Sequence, residues 1–314
     1  MEGMSDIYTT AKRAARRANF EYFKFYSRFR GSPGYHPQGV DMMEEDWDNL
    51  IVLDACRYDM FAETVDIPGT LRSVTSRGSC TGQWIRGNFV GRDLHDTVYV
   101  TASPILYERD FSDVSFHAVN NVWSEDGWDP EHKTVLPETV EDHAREVEEE
   151  YPNKRLIIHF LQPHMPFIPA PDEMKTHTQR IHRIHAARSE GSLNFWERIF
   201  RGSLDFGREE VWKYYVKNLE VAIPNLERLV NDLRGKTVIT SDHGNMVGER
   251  SWPLPVQTWG HPLYHYTEEL VNVPWLECTH SDRKEIVSEP AVSDSDTEID
   301  EAEVKEKLEQ LGYT

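Results

Sequence analysis

The stretch Thr237-Val238-Ile239-Thr240-Ser241-Asp242-His243-Gly244-Asn245 is a short, mostly apolar run that leads directly into Asp-His-Gly. A run of this length is typical of a strand buried in a sheet. A carboxylate beside an imidazole suits a borderline divalent cation, and the glycine lets the backbone come close. The segment therefore predicts a buried strand whose carboxyl end carries metal ligands.

Apolar runs of the same kind alternate with helical patterns along the chain. We predict further strands at Asn49–Leu53, Leu71–Thr75, Thr97–Thr101, Leu156–Phe160 and Val271–Leu276, and long helices at Pro137–Glu149 and Glu209–Leu233. Such alternation predicts an α/β fold with a mostly parallel central sheet and helices on both faces. Because ligands of these folds bind beyond the carboxyl ends of the strands, residues that follow strands are the candidates for function.

Three more polar elements lie at or near predicted strands. Asp54 directly follows the first of them, His164 follows another in Pro163-His164-Met165-Pro166-Phe167, and His261 lies in Trp259-Gly260-His261-Pro262. Asp54 alone could equally cap the helix predicted after it, and a lone histidine is usually structural. Four such elements in one α/β chain favour a shared site.

The order of these four motifs resembles the sulfatase branch of the alkaline phosphatase superfamily, over roughly Trp47 to Cys278. The resemblance implies an alkaline phosphatase-like fold and an enzyme that hydrolyses or transfers a phosphate or sulfate ester. It also implies one metal ion with Asp54, Thr81, Asp242 and His243 as ligands. Because Ala55 and His243 replace residues typical of calcium sulfatases, manganese or zinc is expected rather than calcium.

The family's nucleophile lies at the start of a helix and is commonly Thr, Ser or a modified Cys. Placing the family's closing glycine on Gly91 puts the nucleophile on Thr81, with Cys80 and Ser79 as alternatives. Thr81 would begin a Gly82–Phe89 helix, whose positive end stabilises an alkoxide and an incoming anion. The Cys-x-Pro-x-Arg signature for conversion of Cys to formylglycine is absent, and bulky residues follow the nucleophile: Trp84, Ile85 and Arg86.

In this hypothesis His164 and His261 bind the non-bridging oxygens or protonate the leaving oxygen. Arg57 or Arg86 would hold the anion, although Arg57 could equally be a solvated helix residue. An acceptor hydroxyl in place of water would make the enzyme a phosphotransferase acting on a glycan or lipid head group. The alternative is a non-catalytic relative that binds an anionic glycan or a partner protein, which the altered stretch around Trp84 favours.

The charge balance is strongly acidic, with 54 acidic against 34 basic residues and a formal net charge of −20. This predicts a halophilic, archaeal source, with an ordinary acidic enzyme as the alternative. Nucleic-acid binding is not expected, because a phosphate backbone needs a basic face. The three cysteines predict no disulfide framework, and the lack of a long apolar stretch leads us to expect a cytoplasmic location.

We predict three regions along the chain. Residues 1–45 form a basic N-terminal segment, residues 46–280 the catalytic α/β domain, and residues 281–314 an acidic linker with a closing helix. Within the N-terminal segment, the pattern of residues 10–30 predicts an amphipathic helix. This helix either lies on the inner face of an anionic membrane or packs on the main domain. Residues 172–206 are predicted to be an insertion or a lid over the site.

Overall fold

The computed structural model describes residues 2–29, 33–107, 111, 113–124, 127–171, 174, 195–200, 204, 206–279, 282–292 and 300–312. Helices lie at Glu2–Phe29, Tyr58–Thr64, Thr81–Asn88, Pro137–Glu150, Phe195–Phe200, Arg208–Asp232, Glu268–Val271 and Glu301–Leu311, with 3-10 turns at Met42–Glu44 and Pro104–Tyr107. The strands are β1 Asn49–Asp54, β2 Gly69–Thr75, β3 Asp93–Thr101, β4 Ser115–Asn121, β5 Trp128–Asp129, β6 Thr134–Val135, β7 Arg155–Pro163, β8 Thr237–Ser241, β9 Met246–Ser251, β10 Val256–Gly260 and β11 Asn272–Cys278.

The central sheet has seven strands in the order β2-β11-β8-β1-β7-β3-β4. Strand β1 pairs in parallel with β7 and with β8, whereas β11 is antiparallel to both of its neighbours. Every residue of β1 is buried, as expected for a strand that is covered on both faces. The predicted α/β fold with a mostly parallel central sheet is confirmed.

The parallel pairing brings the ends of β1, β7 and β8 to one edge of the sheet. The loops that leave these strands are joined by hydrogen bonds. The His164 N–H donates to the Asp54 carbonyl over 3.0 Å, and the Cys56 N–H donates to Ser241 Oγ over 2.8 Å. Three segments that are distant in sequence therefore form one rigid corner at this edge.

A separate antiparallel pair, β9 with β10, lies between β8 and β11 in sequence and was not predicted. It leads the chain from the Asp-His-Gly motif to His261. The N-terminal helix is attached to the turn of this hairpin through the buried Asn19. Its amide donates to the Leu254 carbonyl (2.8 Å) and Ser251 Oγ (3.0 Å), and its oxygen accepts the Leu254 N–H (2.9 Å). The helix is thus fixed to the body of the protein near its middle.

Residues 282–292 run along the opposite edge of the sheet. Arg283 Nε donates to Asp48 Oδ2 over 2.6 Å, and the Val287 N–H donates to the Asn153 carbonyl over 2.9 Å. The helix predicted at the carboxyl end is present at Glu301–Leu311 and buries its apolar side. Most of the predicted lid at 172–206 lies outside the described residues. Within the described part of the chain, no helix combines the length and apolar character needed to cross a membrane.

Glu141 links the helices Pro137–Glu150 and Arg208–Asp232, and we expect its loss to destabilise the protein. Burial alone would raise the pKa of Glu141, but hydrogen bonds from Arg228 and Arg145 outweigh burial and lower the pKa to about 2. The carboxylate therefore adds stability that is complete above its usual pKa and is lost as the pH falls toward 2. Glu141→Gln should lower the free energy of unfolding by about 2 kcal/mol at pH 7.

Urea denaturation measured at pH 7 and at pH 3 tests this expectation. The control is Glu146→Gln, because Glu146 lies on the same helix and is exposed. The difference between Glu141→Gln and wild type should shrink at the lower pH. A loss of stability of the same size at both values would contradict the assignment.

Candidate active site

Four predicted ligands converge at the edge where β1 and β8 end. Ligand atoms of Asp54, Asp242 and His243 all lie within 4.8 Å of one another, and all three side chains are buried. His243 Nε2 is 3.6 Å from Asp54 Oδ1 and 3.4 Å from Asp242 Oδ2. The Thr81 hydroxyl, also buried, is 3.3 Å from the same nitrogen. The structure therefore brings together all four of the residues that the family resemblance implies as metal ligands.

The Asp242 carboxylate is oriented by the backbone. Its Oδ1 accepts the N–H of Ala55 over 3.0 Å and the N–H of His243 over 2.8 Å. Its Oδ2 is buried without a hydrogen bond from any described residue. A carboxylate oxygen buried in this way is costly unless a cation or another donor lies beside it.

The tautomer of His243 follows from one contact. Its Nδ1 lies 2.8 Å from the Gly244 carbonyl, which can only accept a hydrogen bond, so Nδ1 carries a proton. In the neutral ring, Nε2 then presents its lone pair toward the two carboxylates. This is the usual arrangement of a metal-binding histidine.

The spacing of the ligand atoms fits a transition metal. Bonds of roughly 2.0–2.2 Å to a tetrahedral ion place neighbouring N and O ligands about 3.3–3.6 Å apart. The three distances from His243 Nε2, to Thr81, Asp242 and Asp54, run from 3.3 to 3.6 Å. Together with the orphaned Asp242 oxygen, this spacing indicates a site that can hold one divalent cation.

Thr81 is the first residue of the helix Thr81–Asn88, and Cys80 precedes it in an extended conformation. The turn depends on Gly78, where an added Cβ would lie 2.6 Å from the Trp84 nitrogen. The chain can therefore fold back over the start of the helix only with glycine at this position. The result places the Thr81 hydroxyl beside the positive end of the helix.

The neighbouring hydroxyl, Ser79, is occupied elsewhere. Its Oγ lies 2.9 Å from Gln83 Oε1 and 3.1 Å from the Pro262 carbonyl, both of which only accept. Of the two hydroxyl candidates, Thr81 is thus the one in contact with His243. The Ser79 contact instead joins the start of the helix to the loop that carries His261.

His164 and His261 form a pair at the side of the metal ligands. His164 Nδ1 lies 2.6 Å from the Met165 carbonyl, so Nδ1 carries the proton, and Nε2 accepts from His261 Nε2 over 3.0 Å. Burial lowers the pKa of His164 to about 4. Burial, reinforced by His243 and His164, lowers the pKa of His261 well below its usual value. Both rings are neutral at pH 7, and His261 Nε2–H is the group of the pair that can donate a hydrogen bond to a substrate oxygen in place of His164.

The two arginines predicted to hold the anion differ in their surroundings. Arg57 is buried between carboxylates, with Nε 2.9 Å from Asp59 Oδ1 and Nη1 2.7 Å from Glu249 Oε1. Arg86 lies on the helix after Thr81, with its guanidinium 5.5 Å from the Phe111 ring centre. The charge of Arg57 is thus already matched within the protein.

Two buried polar residues near the site were not predicted. His159, in the middle of β7, has Nε2 4.0 Å from Asp242 Oδ2, while its Nδ1 is 2.6 Å from the Tyr99 hydroxyl. Asn245, three residues after Asp242, is buried with both side-chain polar atoms lacking a hydrogen bond among the described residues. A histidine inside an apolar strand is a sequence signal that could have identified the first. Asn245 has no such signal.

Gly244 is required by close packing behind the site. An added Cβ would lie 2.1 Å from the Glu269 carbonyl, so the Asp-His-Gly loop would have to move. Gly244→Ala should cost about 1–3 kcal/mol of stability and displace His243. Thermal unfolding with and without added Zn²⁺ tests this, and Gly207→Ala is the control, because an added Cβ there meets nothing within 4 Å. Equal behaviour of the two variants would contradict the packing argument.

No protein-family model and no curated protein matches this sequence. Among solved structures, the chain is similar to the C-terminal periplasmic domain of the phosphoethanolamine transferase EptC from Campylobacter jejuni, at 12% identity and a TM-score of 0.42, over 73% of this chain and 77% of that one. It is similar to an alkaline phosphatase superfamily protein from Vibrio parahaemolyticus at 11% identity and a TM-score of 0.40, over 79% and 64%. It is also similar to a phosphonate monoester hydrolase from Silicibacter pomeroyi at 13% identity and a TM-score of 0.40, over 84% and 72%.

Similarity at such low identity concerns the arrangement of the chain alone. An activity and a substrate are therefore inferred from the residues of the site.

Proposed function

We propose that this protein is a metal-dependent enzyme that hydrolyses or transfers a phosphate or sulfate ester, with Thr81 as nucleophile. One observation carries the proposal. The Thr81 hydroxyl, at the start of a helix, is 3.3 Å from His243 Nε2 in a buried cluster with Asp54 and Asp242. A nucleophile, cation ligands and the positive end of a helix thus meet at one point.

A divalent ion bound by Asp54, Asp242 and His243 would supply the positive charge that lowers the pKa of the Thr81 hydroxyl. Thr81, its proton lost to water, attacks phosphorus or sulfur as the bond to the alcohol oxygen breaks. His261 Nε2–H donates a hydrogen bond to an oxygen of the reacting group, and the departing oxygen takes its proton from water. Water or an acceptor hydroxyl then attacks the Thr81 ester, and the Thr81 oxygen leaves and regains a proton.

The donor set indicates which metal to expect. One imidazole and two carboxylates, in a cluster of ligand atoms within 4.8 Å, suit zinc or manganese better than calcium, which takes six to eight oxygen ligands in a larger shell. We therefore propose zinc or manganese. Among the natural substrates consistent with this chemistry, a glycan or lipid head group is the one we propose.

A panel of nitrophenyl esters tests the proposed function. It contains a phosphate monoester, a phosphodiester, a phosphonate and a sulfate, each assayed in high salt with Mn²⁺, Zn²⁺ or EDTA. We expect turnover of at least one ester that requires metal and is abolished by EDTA. The absence of turnover, together with purified protein that binds no metal, would instead favour the non-catalytic anion-binding protein.

We further propose that the N-terminal helix contacts an anionic membrane surface. Phe25 and Phe29 are 68% and 79% exposed, and Trp252 on the neighbouring hairpin turn is 68% exposed. Tyr22 joins the two elements, its ring centre 5.7 Å from that of Trp252. Exposed aromatic residues beside basic ones are typical of interfacial helices.

Co-sedimentation with lipid vesicles tests the membrane contact. The protein should bind vesicles containing phosphatidylglycerol and not vesicles of phosphatidylcholine alone. Phe25→Ser/Phe29→Ser should weaken binding by at least about tenfold, because two aromatic side chains no longer leave water. Unchanged binding of this variant would contradict the proposal.

A further inference from the structure

A cavity of about 380 Å³ lies between the N-terminal helix and the loop that follows β10. Its volume is in the range of small-molecule sites. We call it the arginine cavity, because three arginines of the helix line it: Arg13, Arg16 and Arg17. The remaining lining is mostly apolar, from Phe20, Phe200, Pro262 and Leu263, with Thr258 and His265.

The cavity is adjacent to the candidate active site. Pro262 and Leu263, which line it, directly follow His261. The Pro262 carbonyl is also 3.1 Å from Ser79 Oγ, two residues before Thr81. The wall of the cavity is therefore joined both to His261, through the chain, and to the loop before the helix that begins at Thr81, through the Ser79 contact.

The exposure of the site residues indicates the direction in which a substrate extends. Asp54, Thr81, Asp242 and His243 are fully buried, whereas His261 is partly exposed and Leu263 is 43% exposed. A substrate whose reacting group contacts Thr81 therefore extends past His261. Leu263, two residues after His261, lines the arginine cavity.

The local charge at the cavity opposes that of the whole molecule. The chain has a net charge of −20, yet among the residues that the structure describes, the charged ones that line the cavity are arginines. Guanidinium groups bind phosphate and carboxylate groups with paired hydrogen bonds, and such charge-assisted bonds are stronger than neutral ones. The lining is thus complementary to an anion.

The apolar lining adds a second requirement. Arg16 stacks on Phe200, its guanidinium carbon 4.7 Å from the ring centre. Phe20 and Leu263 offer further apolar surface beside the arginines. A ligand that satisfies both kinds of lining has an anionic group joined to an apolar part.

We propose that the arginine cavity binds a phosphate or carboxylate group on the alcohol part of the substrate, and that this part is amphiphilic. The proposal rests on the proposed function, since it takes the ligand to be part of the ester. It makes the natural substrate an ester with a second anionic group beyond the one that reacts. Arg13 and Arg17 are then residues that determine specificity.

Calorimetric titration of the EDTA-treated protein with hexyl phosphate, inorganic phosphate and hexanol tests the cavity without turnover, because the proposed reaction requires metal. Wild type should bind hexyl phosphate more tightly than inorganic phosphate and should not bind hexanol. Asp242→Asn, which disables the metal site, should keep the affinity for hexyl phosphate. Arg13→Gln/Arg17→Gln should lower it by at least about tenfold. Arg28→Gln is the matched control, because Arg28 is exposed on the same helix and does not line the cavity.

Loss of hexyl phosphate binding in Asp242→Asn, with full binding in the double arginine variant, would place the ligand at the metal site and overturn the proposal. Equal affinity for inorganic phosphate and hexyl phosphate would contradict an amphiphilic ligand. Arg16 is left unchanged, because its stacking on Phe200 helps to hold the helix. Failure of every nitrophenyl ester to turn over, together with purified protein that binds no metal, would reject the proposed function, while the titrations would still decide whether the cavity binds this class of anion.

Discussion

Thr81→Ala should abolish turnover of whichever nitrophenyl ester the wild type accepts, with a loss of at least about a thousandfold in kcat. The methyl group that remains has no oxygen with which to form the covalent ester. Asp54, Asp242 and His243 are unchanged, so the variant should still bind metal. Initial rates at saturating ester and saturating Zn²⁺ or Mn²⁺ measure the effect.

Two neighbouring variants serve as controls for this loss. Ser79→Ala removes a hydroxyl that contacts Gln83 and the Pro262 carbonyl, so it should reduce kcat far less. Cys80→Ala tests the remaining alternative for the nucleophile. Full activity of Thr81→Ala, or a loss in Cys80→Ala that equals or exceeds it, would move the nucleophile away from Thr81.

The second large effect is expected for Asp242→Asn. Oδ1 of this residue accepts two backbone N–H groups, from Ala55 and His243, while Oδ2 faces the ligand cluster. An asparagine at this position has two orientations. Its NH₂ faces either the cation or the two backbone N–H groups, which are themselves donors. Affinity for Zn²⁺ or Mn²⁺ should fall by at least about a hundredfold, because a charged ligand is lost and a donor replaces it.

Thermal unfolding of Asp242→Asn provides the readout that does not depend on activity. Metal that binds only the folded state should raise the melting temperature of the wild type and leave that of the variant unchanged. Asp93→Asn is the matched control, since Asp93 is exposed at the start of β3, away from the strand ends that carry the ligands. An equal metal-induced rise in wild type and Asp242→Asn would show that the cation binds elsewhere.

The sequence predicted much of the fold and the members of the site for a physical reason. Short apolar runs identify buried parallel strands, and parallel strands deliver their carboxyl ends to one edge. Asp54 and Asp242 are 188 residues apart in sequence. The hydrogen bond from the Ala55 N–H to Asp242, which joins residues 187 apart, lies directly beside them. The two aspartates nevertheless meet because β1 and β8 pair side by side.

Other features depend on contacts that no local pattern encodes. Polar and apolar residues alternate only weakly along β9 and β10. The contact of this hairpin with the N-terminal helix depends on Asn19, which is 235 residues from its hydrogen-bond partner Leu254. The aromatic residues of that helix look alike in sequence. Yet Tyr22 packs against Trp252 while Phe25 and Phe29 remain exposed. The position of His159 beneath Asp242 likewise follows from the strand order, which the sequence does not state.

The most direct test of the central claim is acid quenching of the wild-type enzyme during turnover, followed by peptide mass spectrometry. We predict a phosphoryl or sulfuryl group on Thr81, present with substrate and metal and absent when EDTA is added. The same group found on Cys80 or Ser79, or steady turnover with Thr81 always unmodified, would contradict it.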